Sequence, residues 1–274
     1  MEKTRVLIAS PICQDPIILK EYLLSMLNID TSDLETEFLF IDDNTMQISK
    51  ELLKKFKADR CVTDIIDAEN RQEYIRTDMT HKWNNVLIEK VAHYRNIILS
   101  AAREKNYDFL FMVDSDLLLH PDTLKHLISL NKDIISEIFW TKWAPGGMEY
   151  PQVWLYDHNT LHEIERGKFL SESEIKSRTN KFMNKLKIPG VYKVGGLGAC
   201  TLISQKVLRS TISYDNLPNI SFQGEDRHFC IRAAALGFEL YVDTHYPAYH
   251  IYRRKNLDNV EKFKVKCGYS IMNI

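Results

Sequence analysis

The stretch "FLFMVDSDLLLH", Phe109 to His120, decides how this chain is read. Its first five residues are an unbroken apolar run of the kind that fills a buried strand, and the run ends on Asp114 and Asp116 with one residue between them. Burying one carboxylate at the end of such a strand is costly unless a cation or several donors satisfy it, and a second one adds repulsion. A positive partner is therefore expected. In an extended strand Asp114 and Asp116 point to one side and Ser115 to the other, which offers hard oxygen ligands to one cleft. Mg²⁺ or Mn²⁺ together with a phosphate-bearing ligand fits that donor set. The alternative is that one aspartate caps the following helix and the other pairs with an arginine.

The surrounding sequence places this strand in an alternating pattern. "RVLIAS" reads as a buried strand, and "PIILKEYLLSMLNI" follows with helical spacing, Asp15 as N-cap and Pro16 at the first helical position. "EFLFIDDN" repeats the motif, a strand closing on Asp42 and Asp43. The segment 84–105 is expected as a helix, with Val86, Leu87, Val91, Tyr94, Ile98 and Ala102 recurring on one side. "PDTLKHLISL" opens another helix and "DIISEIFW" returns as a strand. This alternation predicts an α/β fold with a mostly parallel central sheet flanked by helices, and binding groups at the carboxyl ends of the strands. Between about 157 and 193 charge rises and periodicity weakens, as expected for a helical surface insertion that either offers a partner surface or is simply solvated. "GEDRHFCIRAAALG" reads as a helix stopped by Gly237, and "FELYVDTHYPAYH" as the last strand. With no repeat or low-complexity linker, residues 1–274 are expected to form a single domain, in which 1–120 and 121–274 are two halves of one fold.

Composition excludes several classes. At 274 residues with 45% hydrophobic side chains the chain has the material for a large core. Lys and Arg total 36 against 37 Asp and Glu, so the global balance does not favour nucleic acid as a partner. Cys13, Cys61, Cys200, Cys230 and Cys267 are widely spaced with no C-x-x-C pair, as expected of reduced thiols. The opening "MEKTRVLIAS" shows no signal-peptide pattern and no apolar run reaches membrane-spanning length, so a cytoplasmic protein is expected. The basic segment "YRRKNLDNVEKFKVK" offers a possible peripheral contact with an anionic membrane, or a solvated terminal helix.

Two metal-and-phosphate classes use paired aspartates of this kind. Haloacid-dehalogenase-like phosphatases carry D-x-D-x-T/V near the N-terminus, whereas here "DSDLL" arrives past residue 110. The chain resembles instead the nucleotide-sugar-dependent glycosyltransferases of the GT-A fold, family 2-like and D-x-D-containing, and the resemblance covers most of its length. "LIASPI" looks like the family's first strand and its bend over the base, which implicates Pro11. "FIDDN" looks like the second strand's end, making Asp43 the base-side carboxylate, with Asn44 a departure from the usual small residue. "HYRNIILSAAREKNYDFLFMVDSD" resembles the helix that precedes D-x-D and makes Arg95 a partner of the ribose-side Asp114 or of the diphosphate. "KVGGLGACTLIS" looks like the segment lining the donor sugar, which implicates Gly195 and Gly196. "GEDRHFCIRAAALGFELYVDTHYPAYH" looks like the E-D helix followed by a strand and a metal-binding histidine.

The resemblance implies donor-binding roles for Pro11, Asp43, Arg95, Asp114, Ser115, Gly195 and Gly196, and metal ligation by Asp114, Asp116 and His250. Of the two histidines in the last strand, His245 and His250, alternation puts them on opposite faces unless Pro247 breaks the register, and His250 matches the family position. The imidazole leans the choice toward Mn²⁺ over Mg²⁺. Glu225 and Asp226 sit in a helix's first turn, where the macrodipole favours ionised carboxylates. Asp226 shares its face with Phe229, Cys230 and Ala233 and is expected to point inward, as the base that deprotonates an acceptor hydroxyl with inversion. Trp140, Trp143, Tyr150, Trp154 and Tyr156 supply rings that either stack on sugars or pack the core. The implied function is metal-dependent transfer from a UDP- or GDP-sugar to a carbohydrate, lipid-linked or small-molecule acceptor. The alternatives are a retaining enzyme with the same donor site and a non-catalytic nucleotide-sugar-binding protein. A nucleotidyltransferase is disfavoured because "SPICQDP" lacks glycine and basic residues.

Overall fold

The computed structural model describes residues 3–59, 62–69, 83–271 and 273. Cys61 lies outside the described residues. The first half alternates as the sequence predicts: β1 (Thr4–Ile12), α1 (Pro16–Asn28), β2 (Leu34–Asp42), α2 (Gln47–Asp59), β3 (Thr63–Asp67), α3 (Asn85–Glu104) and β4 (Phe109–Val113). Asp15 caps α1 by accepting from the Ile17 amide at 3.0 Å, and Asn84 caps α3 by accepting from the Leu87 amide at 2.9 Å. After β4 come the short β5 (Leu117–Leu118), α4 (Thr123–Ser129), β6 (Ile134–Lys142), β7 (Glu149–Pro151) and β8 (Val153–Trp154). In the expected insertion only α5 (Glu172–Lys185) is helical, fixed by a capping box between Ser171 and Glu174. Then follow β9 (Val191–Val194), β10 (Gly196–Leu197), β11 (Cys200–Ser204), α6 (Gln205–Leu208), α7 (Glu225–Ala235), β12 (Leu240–His250), a 3₁₀ turn (Arg254–Asn259) and α8 (Val260–Cys267).

The main sheet runs β3-β2-β1-β4-β11-β6-β12-β5 and so takes strands from both halves of the chain. β1, β2, β3 and β4 pair in parallel, and β12 pairs in parallel with β6. β11 is antiparallel to both β4 and β6, so it alone runs backward among the long strands and leaves all the others pointing one way. The mostly parallel sheet is therefore borne out, and the parallel strand ends collect on one edge.

Alternation along the strands explains the two-sided burial. In β1, Leu7 and Ala9 pack with α3, α6 and α7 on one face, while Val6 and Ile8 pack with α1, α2 and α4 on the other. In β4, Leu110 and Met112 go to the first layer and Phe111 and Val113 to the second. A strand buried on both faces has no polar alternation to show, which is why "FLFMV" reads as a continuous apolar run. Among the described residues no helix is long and apolar enough to cross a membrane.

Candidate functional site

The cleft lies at the carboxyl ends of β1, β2 and β4, roofed by α3. Pro11, Asp43, Arg95, Asp114, Ser115 and Asp116, all expected at the site, line it. The fold brings them together from three strand ends and one helix. One expectation changes in detail. The aspartate pair does not sit in an extended strand: β4 ends at Val113 and the chain turns, with the Leu117 amide donating to the Asp114 carbonyl at 3.2 Å. The turn is pinned on both sides, the Asp114 amide to the Ala199 carbonyl at 2.8 Å and the Ile251 amide to the Asp116 carbonyl at 2.8 Å. Both carboxylates therefore reach the cleft through a turn and not by strand alternation. Ala199 takes φ of +58°, a left-handed conformation that costs an alanine energy, at the residue that holds Asp114.

Asp43 is buried, its Oδ2 2.5 Å from Lys90 Nζ, while Tyr94 OH donates to Oδ1 at 3.3 Å. Neither Lys90 nor Tyr94 was foreseen as a site residue. Asn44 has a clear role: it donates from its amide and side chain to Asp42 Oδ1, at 3.0 and 2.7 Å, and accepts from the Gln14 amide at 2.7 Å, so it ties the ends of β1 and β2. A small residue there would lose those ties.

The centre is Arg95. Only 3% exposed, it donates from Nη2 to Asp114 Oδ1 at 3.0 Å and from Nη1 to Asp226 Oδ1, with Glu225 Oε1 3.8 Å away. Its guanidinium also lies 5.2 Å from the centre of the Tyr214 ring. Burial alone would pull this guanidinium down, but Asp226, Asp114 and Glu225 outweigh it and hold it charged well above the ordinary range. With Nη1 and Nη2 on Asp226 and Asp114, Arg95 positions the two acids. The Asp114 carboxyl is pushed up to about 6, first by burial and then by Asp116 and Asp226, with Arg95 and His250 opposing. Glu225 is also raised, chiefly by burial and the neighbouring Asp226.

In α7, Phe229, Cys230 and Ala233 are buried as the helical spacing requires, and Asp226 on that face meets Arg95. Glu225 is more buried than Asp226, with 11% of its side chain exposed against 28%. The reason is the segment before α7, which folds over the other face: the Leu217 amide donates to His228 Nδ1 at 3.0 Å, and Arg232 donates to the Ser213 carbonyl at 2.7 Å.

The two expected glycines pack against β8 and the residue that follows it. A Cβ on Gly195 would lie 2.0 Å from the Leu155 carbonyl oxygen, and one on Gly196 1.9 Å from the Trp154 ring, so both permit β10 to close on β8. Gly198, which sequence reasoning passed over, faces the acid: its Cβ would stand 2.5 Å from Asp226 Oδ2. Of the aromatic group, Trp154 is core and Trp143 is half exposed, edge-on to Tyr252 at 5.2 Å. Three cations of the basic C-terminal segment are used internally: Arg253 donates to the Lys142 and Trp143 carbonyls, Arg254 pairs with Asp15 at 2.5 Å, and buried Lys264 pairs with Glu21 and Glu261.

His250, at the end of β12, points Nε2 at Asp116 Oδ2 across 3.5 Å, while its Nδ1 lies 2.9 Å from Thr141 Oγ1. Thr141 Oγ1 also accepts from Gln152 Nε2 at 3.1 Å. In the tautomer that donates from Nδ1 to Thr141, the Nε2 lone pair faces a carboxylate oxygen, an arrangement that a cation between them would satisfy. The residues present therefore fit a divalent metal.

Residues 34–144, from the start of β2 to just past β6, match the family model described as "Glycosyltransferase family 25, N-terminal domain". The matched span contains Asp43, Arg95, Asp114 and Asp116. The crystal structure of S. aureus TarS 1-349 is similar with a TM-score of 0.54 at 15% sequence identity, covering 96% of this chain and 65% of that one. The structure of S. aureus TarS 1-349 in complex with UDP-GlcNAc is similar with a TM-score of 0.52 at 14% identity, covering 89% of this chain and 57% of that one. The chain thus spans less than two thirds of the length of these structures. A segment of the chain thus matches a glycosyltransferase domain, and its mixed α/β fold is similar to that of S. aureus TarS, so the resemblance read from the sequence is supported at the level of that segment and of the fold.

Proposed function

We propose that the protein transfers a sugar from a nucleoside-diphosphate sugar to an acceptor hydroxyl. The observation that carries this reading is the convergence of Asp43, Asp114, Asp116 and His250 at one sheet edge. Binding of UDP-GlcNAc by the similar S. aureus TarS makes UDP-sugars the first donors to test. Asp43, held by Lys90 and Tyr94, offers the base a fixed acceptor. Mn²⁺ or Mg²⁺, held by Asp116 and His250 with Asp114 assisting, would neutralise charge on the departing diphosphate.

Asp226, held in place by Arg95, takes the proton of the acceptor hydroxyl as the acceptor oxygen bonds to the anomeric carbon. The bond from that carbon to the diphosphate oxygen breaks, its electron pair leaves with the nucleoside diphosphate, and the configuration inverts. Gly198 leaves open the approach to Asp226 Oδ2, the oxygen not engaged by Arg95. The Arg95 contact also favours a second reading, a retaining enzyme with the same donor site, because one oxygen of Asp226 is already engaged by Arg95. The acceptor is a carbohydrate, a lipid-linked sugar or a small molecule. Exposed Lys255, Lys262 and Lys266 support peripheral contact with an anionic membrane.

The test is a thermal-shift and hydrolysis panel of UDP-, GDP- and other sugar nucleotides with Mn²⁺ or Mg²⁺. A donor-specific stabilisation and turnover that Asp116→Ala abolishes is expected. Undiminished turnover in that variant removes the metal role, and stabilisation without turnover by any donor identifies a binding protein. Asp226→Asn is expected to retain nucleotide binding while losing transfer; equal transfer points to the retaining reading.

A further inference from the structure

A second group of metal-ligating side chains, none of which lines the donor cleft, meets where α4 approaches a bulge in β12. Asp243 pairs with Glu137 of β6 and Ala248 with Phe139, so β12 carries three more residues than β6 over this interval. The bulge brings His245 toward α4. His126 Nε2 lies 3.3 Å from His245 Nδ1 and 3.3 Å from Asp243 Oδ1, and His245 Nδ1 lies 2.6 Å from that same oxygen. Nitrogen and oxygen ligands about 2.0–2.2 Å from a tetrahedral Zn²⁺ stand roughly 3.3–3.5 Å from one another. Two of the three separations already match. The third is closed by a hydrogen bond whose proton a metal would replace, as deprotonated ligands require.

The second observation lies beneath this triad. Glu137 and Asp243 are opposite in register, 1% and 0% exposed; the Asp243 side chain and the Tyr246 and Ile138 amides are near the Glu137 carboxyl, whose buried oxygens have no well-formed hydrogen bond among the described residues. No lysine or arginine pairs with either carboxylate among the described residues. A buried, unsatisfied acid beside a buried aspartate asks for a positive charge. His126 and His245 are partly exposed, with 24% and 37% of their side chains accessible, so an ion has a way in.

We propose that His126, Asp243 and His245 form a binding site for a borderline transition-metal dication, best matched by Zn²⁺, with Glu137 behind Asp243 and an outer position left for water. Two imidazoles and one carboxylate suit Zn²⁺, Co²⁺ or Ni²⁺ and disfavour Mg²⁺ and Ca²⁺. The ion would cross-link α4 to the strand that ends in His250, a structural function independent of the donor-site reading.

The experiment uses the full chain, stripped with chelator and titrated with Zn²⁺ alone against a chromophoric competitor, with melting followed in parallel. Binding of one Zn²⁺ with a rise in Tm is expected, and Co²⁺ should give the intense visible bands of a low-coordinate site. His126→Ala and His245→Ala should each weaken binding by at least about 100-fold. Melting in chelator verifies that both variants fold. Asp116→Ala should bind Zn²⁺ as the unaltered chain does, which separates this site from the donor cleft. Binding unaffected by both histidine substitutions overturns the proposal, as does binding lost in Asp116→Ala, or absence of binding below the concentrations at which exposed histidines collect metal adventitiously.

Discussion

Replacing Arg95 with methionine keeps much of the side chain's length and removes its charge. Asp114 Oδ1 at 3.0 Å and Glu225 Oε1 at 3.8 Å, together with the closer Asp226, would then face one another around the position of a side chain that is itself buried. At an effective dielectric constant near 20, one charge pair at 3 Å is worth roughly 5 kcal/mol before desolvation. The guanidinium's own burial cost offsets much of this, and removal of one partner from a buried ionic group typically costs about 3–5 kcal/mol. For a chain of this size that is a fall in Tm of roughly 10 °C. Calorimetric melts of the single variants and of the Arg95→Met, Asp226→Asn pair provide the assay. The double variant should lose less than the sum of the singles by at least about 1 kcal/mol, since the two residues share one contact. Additivity within about 0.5 kcal/mol, or a fall in Tm of less than about 2 °C, would refute the ring as described. Arg95→Lys should recover charge but not the fork, and so restore stability more than transfer.

Thr141→Val removes the hydroxyl beside His250 Nδ1 and should weaken Mn²⁺ binding about 10–100-fold while donor binding without metal is unchanged, measured by metal titration of donor hydrolysis. Gly196→Ala forces a methyl into the Trp154 ring and should cost about 1–3 kcal/mol by denaturant melting, with the loss relieved in a Trp154→Phe background if crowding is the cause. Asp30 is lowered to about 2, first by its hydrogen bond to Lys125 and then by Ser32. A carboxyl whose pKa is depressed in the folded state stabilises above its unfolded value near 4, and the contribution disappears as pH falls through 2. The Tm gap between the unaltered chain and Asp30→Asn should therefore be present at pH 6, small because the pair is exposed, and gone by pH 2.

The strand–helix alternation was legible because both-sided burial leaves apolar runs, and caps such as Asp15 and Asn84 announce themselves locally. The reversal of β11 was not, since an antiparallel strand buried on both faces has the same apolar signature as a parallel one. At the site, Asp43, Asp114 and Asp116 could be found from their position at strand ends. Lys90, Tyr94, Thr141 and Gly198 could not, because each matters through a partner distant in sequence: Lys90 and Tyr94 through Asp43, Thr141 through His250, Gly198 through Asp226. Gly195 and Gly196 looked like donor-lining residues because a backbone that must approach a ligand and one that must approach another strand both call for glycine. Only the position of β8 separates the two.

The placement of α3 links the two ends of the proposed reaction. Lys90 and Tyr94, one turn apart, hold the base-side Asp43, and Arg95, the next residue, holds both Asp114 and Asp226. Asp43, Asp114 and the proposed base Asp226 therefore take their positions from three side chains within a six-residue stretch of one helix. Ile98, Leu99 and Ala102 seat that helix on the sheet with 0–1% exposure, so it cannot slide without repacking the core. Donor recognition and orientation of Asp226 are consequently coupled through a rigid element. Large-to-small substitution at Ile98, two turns from Lys90, should lower donor affinity and transfer together, whereas Asp226→Asn should separate them.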